Sequence, residues 1–168
     1  MIRIYGAVLL VTSCAGFGFS LAAEKRRETI MLRSLIAAVQ EMEWELKYRM
    51  TTLPDLCRIA ADVSKGALKE VFRELADKLE KREVIEISGC VNASLNRQRL
   101  PKRIKKNMRQ LGRCLGRFDL EGQVQGLQSI RHQCRKDLQV MEQNCTEHLR
   151  NYQTLAICAG AILAILLF

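Results

Sequence analysis

Aromatic residues are scarce in this sequence, at 5% of the chain, and 168 residues hold only two prolines and ten glycines. β-Sandwiches and barrels need aromatic and β-branched strands joined by Gly- and Pro-rich turns, so this composition argues against both. Seven cysteines are present, but the number is odd and no two stand in a C-x-x-C pair. A chain of this length folds without staples, so a disulfide scaffold is excluded in favour of free thiols in a reducing compartment. No Gly-rich phosphate loop, G-x-S-x-G or H-E-x-x-H occurs, and no cofactor or enzymatic activity is expected.

What is abundant is Leu, Glu, Lys, Arg and Gln, the vocabulary of helices. The expected fold is all-α, a bundle of about six helices, and the length suits about one domain. The net charge of +9 is uneven. Residues 24–88 carry 13 basic and 13 acidic residues, whereas residues 89–153 carry 13 basic against 5 acidic. The two ends are apolar.

Ile4 to Ala23 has no charge and spans roughly 30 Å as a helix, about one hydrocarbon core. Ser20-Leu21-Ala22 resembles a signal-peptide cleavage site, yet the leading segment has one basic residue and Lys25-Arg26-Arg27 follows at once as a stop-transfer flank. A retained anchor over residues 1–23 is the expectation. Thr154 to Phe168 is also uncharged but spans only about 22 Å, with Tyr152 where an interfacial aromatic would sit. It is expected to be a second transmembrane segment over 154–168, the alternative being a buried core helix. Between them, residues 24–153 form the helical domain.

In that domain Leu32, Leu35, Val39, Met42 and Leu46 recur at spacings of 3 and 4, predicting a helix from Glu24 to Met50. Thr52 and Asp55 stand in a capping-box arrangement with Pro54 in the first turn, opening a second helix that runs to Ser64. Leu68, Val71, Phe72, Leu75 and Leu79 mark a third helix, and Val84 to Leu95 a weaker fourth. Pro101 opens a fifth, to Leu115. Leu120, Val124, Leu127, Cys134, Leu138, Met141 and Cys145 form a heptad-like stripe, interrupted by Arg131, along a long sixth helix that runs into the second apolar end.

The leading candidate interaction surface is a basic strip: Arg97, Arg99, Lys102, Arg103, Lys105, Lys106, Arg109, Arg113 and Arg117, with no acidic residue before Asp119. Such a strip suits anionic lipid, nucleic acid or an acidic protein, or is simply a solvated helix face. It lacks interleaved aromatics, so base stacking is not indicated and nucleic acid ranks below lipid and protein. His132 and His148 are several turns apart and have no ligand-spaced partner. Glu41, Glu43 and Glu45 alternate and so fan around a helix instead of converging. Trp44, the single Trp, is read as a helix-packing residue. Gly112 and Gly116, one turn apart, permit close helix approach, and Gly116 suits a helix end. Asp119 is placed to cap the sixth helix, with Gln123 in its first turns.

Two stretches resemble a known family. Leu46 to Leu56, which includes Tyr48, Leu53 and Pro54, resembles the E-I-x-Y-x-x-T-P-L-P-E-A-L segment of the stage III sporulation protein AB family, with Thr52 in place of the first Pro. Leu111, Gly112, Leu115, Gly116, Asp119 and Gln123 resemble its L-G-x-x-L-G-x-x-D-x-x-x-Q segment. The order of anchor, helical domain and apolar tail agrees over essentially the whole chain. The resemblance implies a mother-cell membrane protein of an endospore-former, part of a channel-like complex linking mother cell and forespore. It also implies a cytoplasmic domain similar to the F-type platform proteins of type II secretion. The partner so implied is the companion secretion-type ATPase of the same complex; other membrane subunits of the channel, membrane lipids and further copies of the chain are also expected.

The basic flanks, Lys25 to Arg27 and Arg150, orient the domain toward the cytoplasm by the positive-inside bias. A membrane-impermeant thiol reagent applied to intact mother-cell membranes therefore leaves Cys57, Cys90, Cys114, Cys134 and Cys145 unlabelled until the membrane is opened and the protein denatured. Labelling of any of the five from outside refutes this orientation.

Overall fold

The computed structural model describes the backbone of residues 2–81, 87–116 and 119–167, and the side chains of residues 24–81, 87–116 and 119–143. Six helices and no strand are found among these residues: α1 (Ile2–Arg49), α2 (Leu53–Val63), α3 (Ala67–Glu80), α4 (Ile87–Arg97), α5 (Lys102–Cys114) and α6 (Leu120–Leu167). The expected all-α class and helix number hold. The described part of the fourth helix begins at Ile87 and runs two residues past the expected end, to Arg97. Among the described residues no helix is long and apolar enough to cross a membrane, so the two transmembrane ends gain no support there. The side chains of the expected anchors, 4–23 and 154–168, lie outside the described residues.

Each helix packs on its successor, and α6 returns to pack on α1, closing the ring. The α1–α6 seam is antiparallel. Arg33 pairs with Glu142 at 2.7 Å, Glu43 with Arg131 at 3.3 Å, and Gln128 donates to Glu43 at 2.8 Å. As one number rises along α1 the other falls along α6, so the N-terminal stretch of α1 and the C-terminal stretch of α6 leave the bundle from the same side. That side is called the terminal end below, and its opposite the far end. The turns 64–66 and 98–101 lie at the terminal end, because Lys65 N–H donates to Ser34 Oγ at 3.3 Å and α5 runs antiparallel to α6. The turn 50–52 lies at the far end.

The core is one continuous cluster fed by all six helices. All five stripe residues of α1 are buried, with Ala38 beside them. On α6 the stripe departs from the expected one. Ile130, buried, fills the gap between Leu127 and Cys134, while Leu120 at the helix start is 39% exposed. Arg131 stands beside the stripe, not in it, and reaches Glu43 across the seam.

The turns follow from particular residues. Met50 ends α1 at φ 51°, a left-handed conformation that costs a non-Gly residue about 1–2 kcal/mol. The buried Glu45 helps to hold it there, accepting from Thr51 Oγ1 at 2.8 Å and Arg49 at 3.2 Å. Thr52 is the N-cap of α2, but no side-chain cap bond forms; its hydroxyl instead donates to Asp55 at 2.6 Å. The expected capping box is thus replaced by a bond between the two side chains. Asp119 does cap α6, accepting from Gly122 N–H at 3.2 Å. Gly116, at φ 74°, follows the C-cap of α5 as expected.

Gly112 lets α4 approach α5 closely. A Cβ there would lie 2.8 Å from Val91 Cγ2, so α4 and α5 are in near-backbone contact. Gly112→Ala is expected to cost about 1–3 kcal/mol, the usual penalty of overpacking. Val91→Ala in the same chain should recover much of the loss, giving a favourable coupling in a thermal-denaturation double-mutant cycle.

Candidate functional site

The basic strip is brought together by α5. Lys102, Lys106, Arg109 and Arg113 fall at spacings of 4, 3 and 4, which places them on one helical face, and all four are exposed. Arg103 and Lys105 are half-buried at its edges. Opposite this face Ile104, Met108 and Leu111 point into the core, so the amphipathic pattern of α5 turns every spare charge outward. Arg109 Nε donates to Asn92 on α4 at 3.0 Å. Lys102, Arg103, Lys105, Lys106 and Arg113 make no ion pair among the described residues. Arg117 lies outside them.

Arg97 is partly spent inside the fold. It binds Glu74 of α3 at 2.9 Å, and Lys78 binds the same carboxylate at 2.6 Å. The Lys78 hydrogen bond, reinforced by the Arg97 charge, holds the Glu74 carboxyl below the usual carboxylate range. Arg97 thus belongs to the α3–α4 joint as much as to the strip.

A second surface appears at the far end, where the sequence reading expected only packing. Trp44 is 47% exposed, so its expected helix-packing role is corrected: its ring meets that of Tyr48 at 5.6 Å and carries Arg49 over one face at 5.3 Å. Tyr48 is 64% exposed, Met50 72% and Leu120 39%. Lys47 lines both shallow depressions of this region, one shared with Trp44, Tyr48 and Arg131 and the other with Asp119, Leu120 and Val124. The patch therefore runs without a break from α1 across to the start of α6. Its signal was present in the sequence: Trp44 and Tyr48 are one turn apart and both fall off the Leu32–Leu46 stripe.

Neither surface has the makings of a catalytic centre in the residues described. Glu43 reaches α6 and Glu45 the α1–α2 turn, so the alternating glutamates diverge. His132 is exposed on α6, and the side chain of His148 lies outside the described residues. Cys57, Cys90, Cys114 and Cys134 are free thiols. Burial pushes Cys57 and Cys134 up to about 12 and raises Cys114 as well, which makes them packing groups and poor nucleophiles. Ser94 on α4 and Asn107 on α5 are buried polar groups that the helical spacing does not mark. Asn107 on α5 is fully buried and donates to Asp137 of α6 at 3.1 Å.

The family model for stage III sporulation protein AB matches residues 3–168. The chain belongs to the stage III sporulation protein AB family. A solved structure of a stage III sporulation protein AB has the same fold, with a TM-score of 0.62 at 22% identity over 71% of this chain and 97% of that one. No curated protein matches the sequence. The positions that resemble stage III sporulation protein AB segments sit at joints: Leu53 and Pro54 in the first turn of α2, Leu111 and Leu115 in the core, Gly112 against α4, Gly116 at the end of α5 and Asp119 at the start of α6. Gln123 makes its backbone bond to Asp119 at 3.0 Å in the first turn of α6.

Because the Glu74 carboxyl titrates lower in the folded chain than in the unfolded one, its stabilising contribution is present above the unfolded value of about 4.3 and is lost as pH falls through the folded one. Glu74→Gln is therefore expected to flatten the acid limb of a stability-versus-pH curve. Parallel acid limbs for the two proteins would show that the joint carries no such linkage.

Proposed function

We propose that this chain is a non-enzymatic membrane platform subunit of a secretion-like channel complex between mother cell and forespore, docking a cytoplasmic ATPase on its helical domain. The observation that carries the reading is the antiparallel α1–α6 seam. Both apolar runs depart from one end of the bundle, as a domain tethered twice to one membrane face requires. Extended beyond Arg33 and Glu142, the same register sets Ala23, the end of the first uncharged run, level with residues 148–152, directly before Thr154 opens the second. Two helices held in that register bring their apolar runs to the membrane together.

In this reading the far end is turned away from the membrane and toward soluble partners. Its exposed Trp, Tyr and Met are residue types enriched at protein interfaces, and Trp and Tyr carry much of the energy where they occur. Lys106, Arg109 and Arg113, on the α5 face beyond its first turn, add charge attractive to an acidic partner. The small residues Gly6, Cys14, Ala15, Gly16 and Gly18 of the first apolar run suit close packing against other membrane subunits of the complex.

Co-purification with the companion ATPase tests the proposal, with a chain lacking residues 24–153 as the baseline. Trp44→Ala combined with Tyr48→Ala should lower recovery roughly tenfold or more, the scale of losing two interface anchors. Both rings are substantially exposed, so the melting temperature should change little. Recovery equal to that of the unaltered chain would remove the far end as the docking face, and equal recovery without residues 24–153 would remove ATPase docking altogether.

A further inference from the structure

The basic strip does not all point to one partner, because it runs along the bundle axis. Two antiparallel contacts fix its register against α6: Asn107 bonds to Asp137 at 3.1 Å, and a Cβ on Gly126 would touch Cys114 at 3.0 Å. Lys102 is then level with the stretch from residue 138 to residue 142, near Arg33 and Glu142. The start of α5 and the turn before it are therefore at the terminal end, and Arg113 is at the far end. The turn 64–66 brings Lys65 to the terminal end as well, through its bond to Ser34.

Charge divides along the same axis. At the terminal end Lys65, Arg99, Lys102 and Arg103 make no ion pair among the described residues. Of the acids there, Asp62 is within 4.0 Å of Lys69, Glu74 is held by Lys78 and Arg97, Glu28 lies 3.8 Å from Lys25 and Glu142 pairs with Arg33, leaving Glu24 and Glu70 as the exposed counterweights. At the far end the balance is more even: Glu45 binds Arg49, and Arg58 binds both Asp55 and Glu80. Surplus positive charge thus collects where the two apolar runs leave the bundle.

We infer that this basic terminal end, built from the turns 64–66 and 98–101 and the first turn of α5, rests against the anionic headgroups of the membrane that holds the chain. The inference depends on the membrane anchoring given under Proposed function. Thr154 lies twelve residues beyond Glu142, roughly 18 Å along α6. A headgroup layer of about 5–7 Å covers part of that span. The four-residue turn and the extended Arg99 and Lys102 side chains cover most of what is left. Their charges then fall within a Debye length of about 8 Å from a leaflet whose surface potential attracts cations. The contact would set the tilt of the bundle over the membrane and leave Lys106, Arg109 and Arg113 free for a protein.

The test uses the full chain reconstituted in phosphatidylcholine vesicles with and without phosphatidylglycerol, reading amide hydrogen exchange across residues 97–106. Exchange there should be about fivefold slower in the anionic vesicles, an effect the size of one cation's attraction to the surface. Roughly 1 M salt should abolish it. Arg99→Gln, Lys102→Gln and Arg103→Gln together should remove the slowing, whereas Lys106→Gln, Arg109→Gln and Arg113→Gln, equal in charge but farther along α5 from the terminal end, should keep it. Arg99→Lys with Arg103→Lys should also keep it, which separates lost charge from lost folding. Equal exchange in the two vesicle types, or slowing lost equally in both triple variants, overturns the inference. So does slowing produced by a DNA oligonucleotide in neutral vesicles and not by phosphatidylglycerol. Extraction of the chain from vesicles by alkaline carbonate is a different failure, since it refutes the anchoring itself.

Discussion

The pairing of α1 with α6 is the constraint on which the rest of the molecule depends. Without it, the six helices form an open chain of neighbours, each burying one side and exposing another. With α6 returned to α1, every helix has two neighbours and the core becomes continuous. The polar contacts along the seam contribute little energy where they are exposed, as Arg33 and Glu142 are. Their work is to hold register. Glu43 accepts from Gln128 and pairs with Arg131 at a site where the carboxylate is only 14% exposed, so a slip of one turn would strand a mostly buried charge. Asn107 plays the same part for α5, because its fully buried amide finds Asp137 in this register.

Much of this was legible from spacing. The helical-period stripes of α1 and α3 and the paucity of glycine and proline are local signals, and helices are local structures. The terminal motifs were equally readable where one residue suffices, as with Asp119 capping α6 and Gly116 beyond the end of α5. What failed depended on partners far along the chain. Arg131 looked like a flaw in a stripe because its carboxylate lies on another helix, and Ile130 was overlooked because a straight heptad was imposed on a helix that faces both α1 and α5. Thr52 and Asp55 have the right spacing for a capping box, yet two side chains that can satisfy each other need not turn to the backbone. Trp44 was assigned to packing by its type, although its position off the stripe already placed it outside.

The surfaces divide by location more than by composition. The strip reads as one feature in sequence, since residues 97–117 contain no acid. In space it is a line parallel to the bundle axis, so its two halves meet different surroundings. Arg97 is drawn into a joint with α3 and Arg109 into a bond with α4, while Arg99, Lys102, Lys106 and Arg113 remain open to solvent. A count of charges could not separate these roles, because it carries no information about which end of the bundle a residue occupies. The aromatic far end was hidden for a similar reason, since Tyr48 and Leu120 are distant in sequence and converge only when the ring closes.

Closure of that ring also imposes an order in time. Arg33 and Glu142 are 109 residues apart. At a synthesis rate of about 5–20 residues per second, the stripe of α1 waits roughly 5–20 s before α6 exists to cover it. During that interval an amphipathic helix presents Leu32, Leu35, Val39 and Met42 uncovered. The first five helices can assemble in sequence because each meets its neighbour as it emerges, and the last step is the long-range docking of α6. The slow, aggregation-exposed event in the life of this protein is therefore the return of its final helix to its first.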